Sequence, residues 1–530
     1  MATSRFHFAY RRSLDQDART PVRRPVVVVG AGPVGLAAAI DLGLHGIPVV
    51  LIDDADRIGE GSRGICWSKR TLEICDRLGI GEKLVAQGVT WKLGKVFLGD
   101  SLIYSFDLLP EDGHKMPAFI NLQQFYVEKA LIDRASEIDA IDLRWKNKLA
   151  SVEPHNDHVR LTIETPDGSY AMEASWLIAA DGARSTTRDL LGLSFSGVTF
   201  EDKFLIADIK MAANFPTERR FWFDPSFHSG QSALMHRQPD NVWRIDLQLG
   251  PDADVAQEQT PERVTARLKR MLGERDFSLE WISIYRFNCR RLERFVHGRV
   301  VFVGDAAHQV SPFGARGANS GIQDAENLTW KLAAVIKGEA GLPLIDSYER
   351  ERIQAADENI GHSTRSTDFI APHSDPERRL RNAVLALAPK AEFARRMINS
   401  GRLSVATVYN TPLSTPDEDA FSGSARLGAP VPDAPVRTRD GRDGHLVAHL
   451  PGSFTLLYLK DGAVPDAPPG IRLACIGEDM IDATGLLARR LDATPGATYL
   501  LRPDQHLCAR WRCFDRMKVE RARDRALGRM

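Results

Sequence analysis

The sequence predicts an α/β protein: an open, mostly parallel sheet, an antiparallel sheet inserted into it, and a small α/β module at the C-terminus. Three observations predict this. A β-branched run, Val26 to Val29, enters a G-x-G-x-x-G turn, an apolar helix and a second strand. Between Leu193 and Tyr285 the pattern changes to short alternating runs separated by turns. Beyond a Pro/Gly/Asp-rich segment starting at Leu427, strand-like and helix-like runs resume.

Composition sets the frame. A chain of 530 residues is too long for one core. An apolar fraction of 43% and a charged fraction of 26% describe an ordinary globular protein. Lys+Arg 69 against Asp+Glu 70 leaves no basic surplus for a nucleic-acid partner. The stretch from Pro25 to Ile40 is too short and too rich in glycine for a membrane span. Six cysteines without a CxxC or any metal-ligand spacing fit a reduced, cytoplasmic setting and no metal site. Residues 1–24 lack an apolar signal core and are expected to form an exposed arm.

The first element is the βαβ unit, and it reads as Rossmann-like. Gly30 permits the tight turn, Gly32 lets backbone approach a pyrophosphate, and Gly35 allows helix to pack on strand. The helix N-terminus offers unpaired N–H groups to phosphate. Asp53, at the end of the second strand, stands where an acidic side chain binds an adenosine ribose; Asp54 is adjacent, but spacing favours Asp53. This unit alone does not distinguish NAD from FAD. Further on, the strand ending at Ala179 runs into Asp181-Gly182, which by itself is also a common turn. Val300 to Val303 form another strand, followed by GDAAHQVSPFGARGANSG. Asp305 projects at the carboxyl end of that strand, where open α/β sheets bind ligands, or else caps a short helical turn.

These three motifs, in this order, resemble the para-hydroxybenzoate hydroxylase family of single-component FAD-dependent aromatic hydroxylases. The stretch GDAAHQVSPFGARGANSGIQDAENLTWKL resembles the family pattern almost without a break, and the resemblance runs from Val26 to about Arg352. It implies FAD held by Gly30, Gly32, Gly35 and Asp53 at the ADP end and by Asp305 at the ribityl chain. The Gly317, Ala318 and Asn319 backbone would lie at the flavin ring, with Arg63 and Gln124 also against the cofactor. Asp181 is associated in the family with both FAD and the nicotinamide nucleotide. Pro312 fixes the approach of the loop and has no N–H to leave unpaired. The departure is Ala315-Arg316, where the family more often has Gly-Gln. The Arg316 side chain is open to two readings, beside the flavin or out to solvent.

The same resemblance makes residues 193–285, with part of 90–120, a substrate domain inserted between 25–192 and 286–375 of the FAD-binding domain. In Val242-Trp243-Arg244-Ile245-Asp246-Leu247-Gln248 the polar residues share one face, either a solvent-facing stripe or a pocket wall. Arg244 resembles an arginine that approaches the flavin. His236 falls where the family has a substrate-facing side chain, and an ordinary pKa of about 6.5 would suit a base or proton relay there. Trp222, Phe223 and Tyr285 are further pocket candidates, although aromatic residues on strands also serve as core. Residues 376–426 read as a helical connection. Residues 427–530 resemble the thioredoxin-like domain of phenol-hydroxylase-type members without its redox motif, so a structural or dimer-contact role is expected.

The function so implied is hydroxylation of a small phenolic substrate with NADH or NADPH and O2, through a flavin C4a-hydroperoxide. An FAD-dependent epoxidase or dehydrogenase of similar architecture, or a non-catalytic FAD-binding redox protein, are the alternatives.

Overall fold

The computed structural model describes residues 6–59, 63–250, 252–398 and 405–530. Strand Val22–Val29 lies at the centre of the first sheet, paired in parallel with Val49–Asp53 on one side and Gly168–Ala179 on the other. Ile141–Trp145 extends one edge and Val300–Phe302 the other, again in parallel. Val26, Val27 and Val28 are fully buried, as expected of a parallel sheet covered on both faces. All the parallel strands end on one rim. There the turns carrying Asp305, Asp181, Gly30 and Asp53 stand side by side in that spatial order.

Helix Pro33–Leu44 and the long helix Gly317–Ile336 pack together beneath this rim. Their approach is close: a Cβ on Gly321 would meet Val34 Cγ2 at 2.6 Å and the Gly304 Cα at 3.1 Å. A second sheet of eight strands stands over the rim. Its order is His308–Gln309, Ser278–Leu292, Phe195–Lys210, Val242–Leu249, Ser232–Arg237, Arg219–Phe223, Leu93–Leu98, Ser101–Asp107. All the registered pairs in it are antiparallel except that between Arg219–Phe223 and Leu93–Leu98. One of its faces packs on helix Pro261–Leu272; the other looks toward the rim.

In the C-terminal sheet, Thr455–Leu459 and Arg472–Ile476 are parallel, and Thr498–Leu501 and Leu507–Trp511 add antiparallel strands. Helix Arg516–Ala526 follows. This strand arrangement is thioredoxin-like, yet the chain between the parallel strands is irregular rather than helical. Cys475 and Cys508 are buried free thiols and Cys513 an exposed one. The module docks through charge buried at the seam. Arg502 pairs with Glu351 at 2.7 Å, and Glu351 also receives Lys331 at 2.8 Å.

One expectation changes. Residues 6–21, part of the expected arm, are docked on the FAD-binding domain rather than free. Phe8 stacks on Trp145 with ring centroids 4.5 Å apart, and Asp15, 3% exposed, pairs with Arg24 and with Arg144 at 2.8 Å. Near the C-terminus the chain folds back as a hairpin, with Arg502 N donating to His506 O at 2.9 Å to close the turn. Among the described residues, no helix is long and apolar enough to cross a membrane.

Candidate active site

The glycine turn shows which of its glycines the protein itself requires. Gly30 has φ +103°, and a Cβ there would lie 2.5 Å from Ala180 O. At Gly35 a Cβ would lie 1.9 Å from Gly30 O. Gly32 differs. Its φ of −76° suits any residue, and a Cβ would meet no atom within 4 Å. Neither backbone strain nor packing demands a glycine at this helix N-terminus, so the residue fits a site reserved for a ligand's phosphates. Asp53 sits beside it, accepting from Ala31 N at 2.6 Å and Ala55 N at 2.9 Å. Burial pushes its carboxyl up against the pull of those two N–H groups.

Gln124 accepts from Gly64 N at 3.0 Å and donates to Glu128 at 2.7 Å. It thereby positions the segment that carries Arg63, whose side chain is exposed. Glu128 was not singled out from sequence. Burial raises its carboxyl to about 7, with Gln124 and Arg63 pulling the other way and Asp53 adding to the rise. Asp181 is already spoken for: one carboxylate oxygen accepts from Ser185 Oγ at 2.6 Å, the other from Thr187 N and Oγ1 at 2.8 Å. The carboxylate thereby holds the start of helix Thr186–Leu190.

Asp305 does not cap its turn, which leaves the ligand-facing alternative. Its side chain is exposed, yet burial of the surroundings raises its carboxyl. Both hold for a group that opens into a recess walled by protein. A Cβ on Gly317 would lie 4.0 Å from Asp305 Oδ1, so the carboxyl stands beside the start of helix Gly317–Ile336. No side chain caps that helix, and its first N–H groups are open to an anionic partner. The Asn319 side chain is committed to the protein: it accepts from Ser68 N at 2.9 Å and donates to Cys66 O and Ala315 O at 2.9 and 2.6 Å. Pro312 is exposed, and its carbonyl accepts from Ala315 N at 3.0 Å, closing the loop. The Arg316 side chain does not point to solvent. It is buried and donates to Asn359 at 3.1 Å.

The second sheet places one row of side chains above this loop. In register, His236 lies opposite Arg244, and Arg244 opposite Asp208. The pairing of Arg220 with Met235 puts Arg219 next to His236 in the same row. Arg244 is buried and not part of a solvent stripe. It is 4% exposed, forks onto both oxygens of Asp208 at 2.9 and 3.2 Å, and reaches Arg63 O at 3.4 Å. His236, 4% exposed, meets Trp91 edge-on at 5.6 Å. Burial, then Arg219 and Arg244, hold its imidazole well below the ordinary value, so it is neutral at pH 7 and does not titrate near 6.5. Trp91 stacks on Phe119 at 5.1 Å, and Ala315 and Cys66 pack against that pair.

Trp222 lies on the opposite face, stacked on Phe97 at 5.1 Å under helix Pro261–Leu272. The reason is the strand's two-residue period: Phe223 and Trp222 cannot look the same way. Phe223 and Tyr285 are on the loop-facing side, in an aromatic cluster with Phe313. Arg219, in the same row as His236, carries no motif signal in the sequence. The alternation that grouped Arg244, Asp246 and Gln248 was the available signal for Asp246.

Residues 23–363 match the family described as FAD binding domain. The chain belongs to this family. It is 30% identical over 435 residues to a flavin-dependent monooxygenase of Mycobacteroides abscessus, covering 77% of this chain and 83% of that one. It is also 30% identical to the 6-methylpretetramide 4-monooxygenase of Streptomyces rimosus, covering 92% of this chain and 90% of the relative. The crystal structure of the flavin-dependent monooxygenase PieE, in complex with FAD and substrate, has the same fold. Its TM-score is 0.82 at 23% identity, over 96% of this chain and all of that one. The protein is thus an FAD-dependent monooxygenase, and Gly32, the open Asp305 and the uncapped helix are features of this flavoprotein that suit its cofactor.

Proposed function

We propose that this monooxygenase hydroxylates a phenolic aromatic substrate, using NADH or NADPH and O2, in the space between the 312–318 loop and the second sheet. The observation that carries the reading is the row Arg219, His236, Arg244 facing a wall of Trp91, Phe119 and Ala315. An apolar slot with a few convergent polar groups fits a flat ring bearing oxygen.

Bound FAD supplies the redox chemistry, accepting hydride from the nicotinamide nucleotide and activating O2. The protein does the rest. Gly30, Gly32, Gly35 and Asp53 hold the ADP end, and Asp305, Gln124 and Arg63 hold the middle. The backbone of Gly317, Ala318 and Asn319 receives the ring, and Pro312 shapes its approach. Arg244, fixed by Asp208, ties the second sheet to the Arg63 segment and so closes the slot against water. His236 stays neutral and offers a hydrogen bond to substrate; its Nδ1 is buried with no partner among the described residues. Phe223 and Tyr285 line the approach.

The free thiols suit a reducing, cytoplasmic location, and the C-terminal module suits a structural or dimer-contact role. The test is a screen of phenols, phenolic acids and polycyclic phenols for stimulated NAD(P)H oxidation, with labelled oxygen traced into product. Oxygen in an aromatic product is expected. Stimulated oxidation yielding an epoxide or a desaturated product, or no stimulation by any phenol, would overturn the reading.

A further inference from the structure

Two charged side chains on the loop-facing side of the second sheet have no hydrogen-bond or ion-pair partner among the described residues. Asp246, on strand Val242–Leu249, is half-buried; its Oδ1 is buried and, among the described residues, its carboxylate makes no hydrogen bond or ion pair. Arg219, on strand Arg219–Phe223, is 9% exposed and, among the described residues, its side chain makes no hydrogen bond or ion pair. They lie within each other's electrostatic reach but form no ion pair. Buried charges are normally paired, because an unpaired one costs several kcal/mol of desolvation. An acid and a base that share a space and do not touch bracket a place for something else.

We propose that Asp246 takes the phenolic proton of the substrate and that Arg219 pairs with the phenolate oxygen so formed. In this step the phenol O–H bond breaks and its electron pair stays on the ring oxygen. The proton passes to the Asp246 carboxylate, which is only partly covered and returns it to solvent. Electron density released into the ring is what an electrophilic oxygen transfer needs. The neighbours divide the work. Arg244 is neutralised by Asp208 and cannot serve as the counter-ion. His236 is a neutral spacer between the two arginines. Cys66, which faces the same charges, is held as a thiol by burial, at about 12. Burial also lifts the Asp246 carboxyl to about 6, against Arg244 and Arg219 and with Asp208, so it is a carboxylate at pH 7 and basic enough to accept the proton.

The inference rests on the phenolic reading above. Its test uses 4-nitrophenol, whose colour reports its own ionisation, titrated with pH in the FAD-loaded protein. Wild type is expected to favour the bound phenolate at least tenfold over solution. Arg219→Gln should lose that preference while keeping FAD, and Arg219→Lys should restore part of it. With a phenol that turns over, Asp246→Asn should slow flavin reduction or hydroxylation about 100-fold and abolish the rise in rate centred near pH 6, with FAD content unchanged. Asp246→Glu should retain the rise. A wild-type protein that leaves the probe's ionisation at its solution value, or an Asp246→Asn variant with an unaltered pH profile, overturns the proposal. If wild type hydroxylates phenols and Asp246→Asn does so equally, this inference alone fails. If no phenol is hydroxylated by wild type, the functional reading fails with it.

Discussion

The carboxylate of Asp324 accepts a hydrogen bond from the backbone N–H of Gly304 at 2.8 Å, across the gap between the long helix and the turn that carries Asp305. The same carboxylate meets His308 Nε2 at 2.7 Å and receives Arg352 Nε at 2.5 Å. Burial opposes the charge on Asp324, but Arg352 and His308 hold its carboxyl below the ordinary value. One buried anion thus fixes the turn, the following strand and two helices relative to each other.

Asp324→Ala should therefore act on both stability and cofactor. It leaves Arg352 buried without its partner, a loss of about 3–5 kcal/mol. Chemical denaturation should read that loss, and FAD fluorescence should show weaker retention. Unchanged denaturation and full flavin content would remove Asp324 from the role of strut.

The glycine turn offers a contrast within three residues. Gly32→Ala should leave folding intact, because its Cβ finds open space, and yet weaken FAD binding measurably in an apo-protein titration. Gly30→Ala should destabilise the apo-protein itself by about 1–3 kcal/mol, since φ is +103° and Ala180 O lies in the way. Equal thermal destabilisation by both would show that Gly32 is needed for packing after all.

Ala315 carries φ +51°, in the left-handed region, with its methyl against Trp91 and Phe119. Ala315→Gly should relieve about 1 kcal/mol of backbone strain and enlarge the slot by one methyl. A higher melting temperature with altered preference among substituted phenols is expected. A lower one would mean that the methyl's packing outweighs the strain.

Asp246 links substrate chemistry to stability through pH. Its folded carboxyl, at about 6, lies above the ordinary 3.8, so between those values the folded state binds more protons. The group's contribution to stability is then present in acid and lost as pH rises through 6. Substrate-free Asp246→Asn should gain on wild type between pH 4 and 7, by at most about 3 kcal/mol. A stability difference independent of pH would show the carboxyl to be unperturbed.

Glu351 bears two buried cations, Arg502 of the C-terminal module and Lys331 of the long helix. Glu351→Ala should cost about 3–5 kcal/mol and expose the 405–426 connection to protease. A variant as resistant as wild type would locate the module's docking elsewhere.

The amino-acid sequence alone determined the parallel sheet, its glycine turn and the line of motifs along the rim. These depend on local requirements: a β-branched run buries itself, and a turn at positive φ such as Gly30 takes a glycine whatever lies around it. It also set the alternation that puts Arg244, Asp246 and Gln248 on one face. Only the tertiary structure decided which face that is. It turned Trp222 away, brought Arg219 beside His236, tied the Asp181 carboxylate to a helix start and buried Arg316 against Asn359. The reason is the same in each case. A charge is neutralised, and a side chain covered, by residues far away in the chain, and strand register alone makes them neighbours.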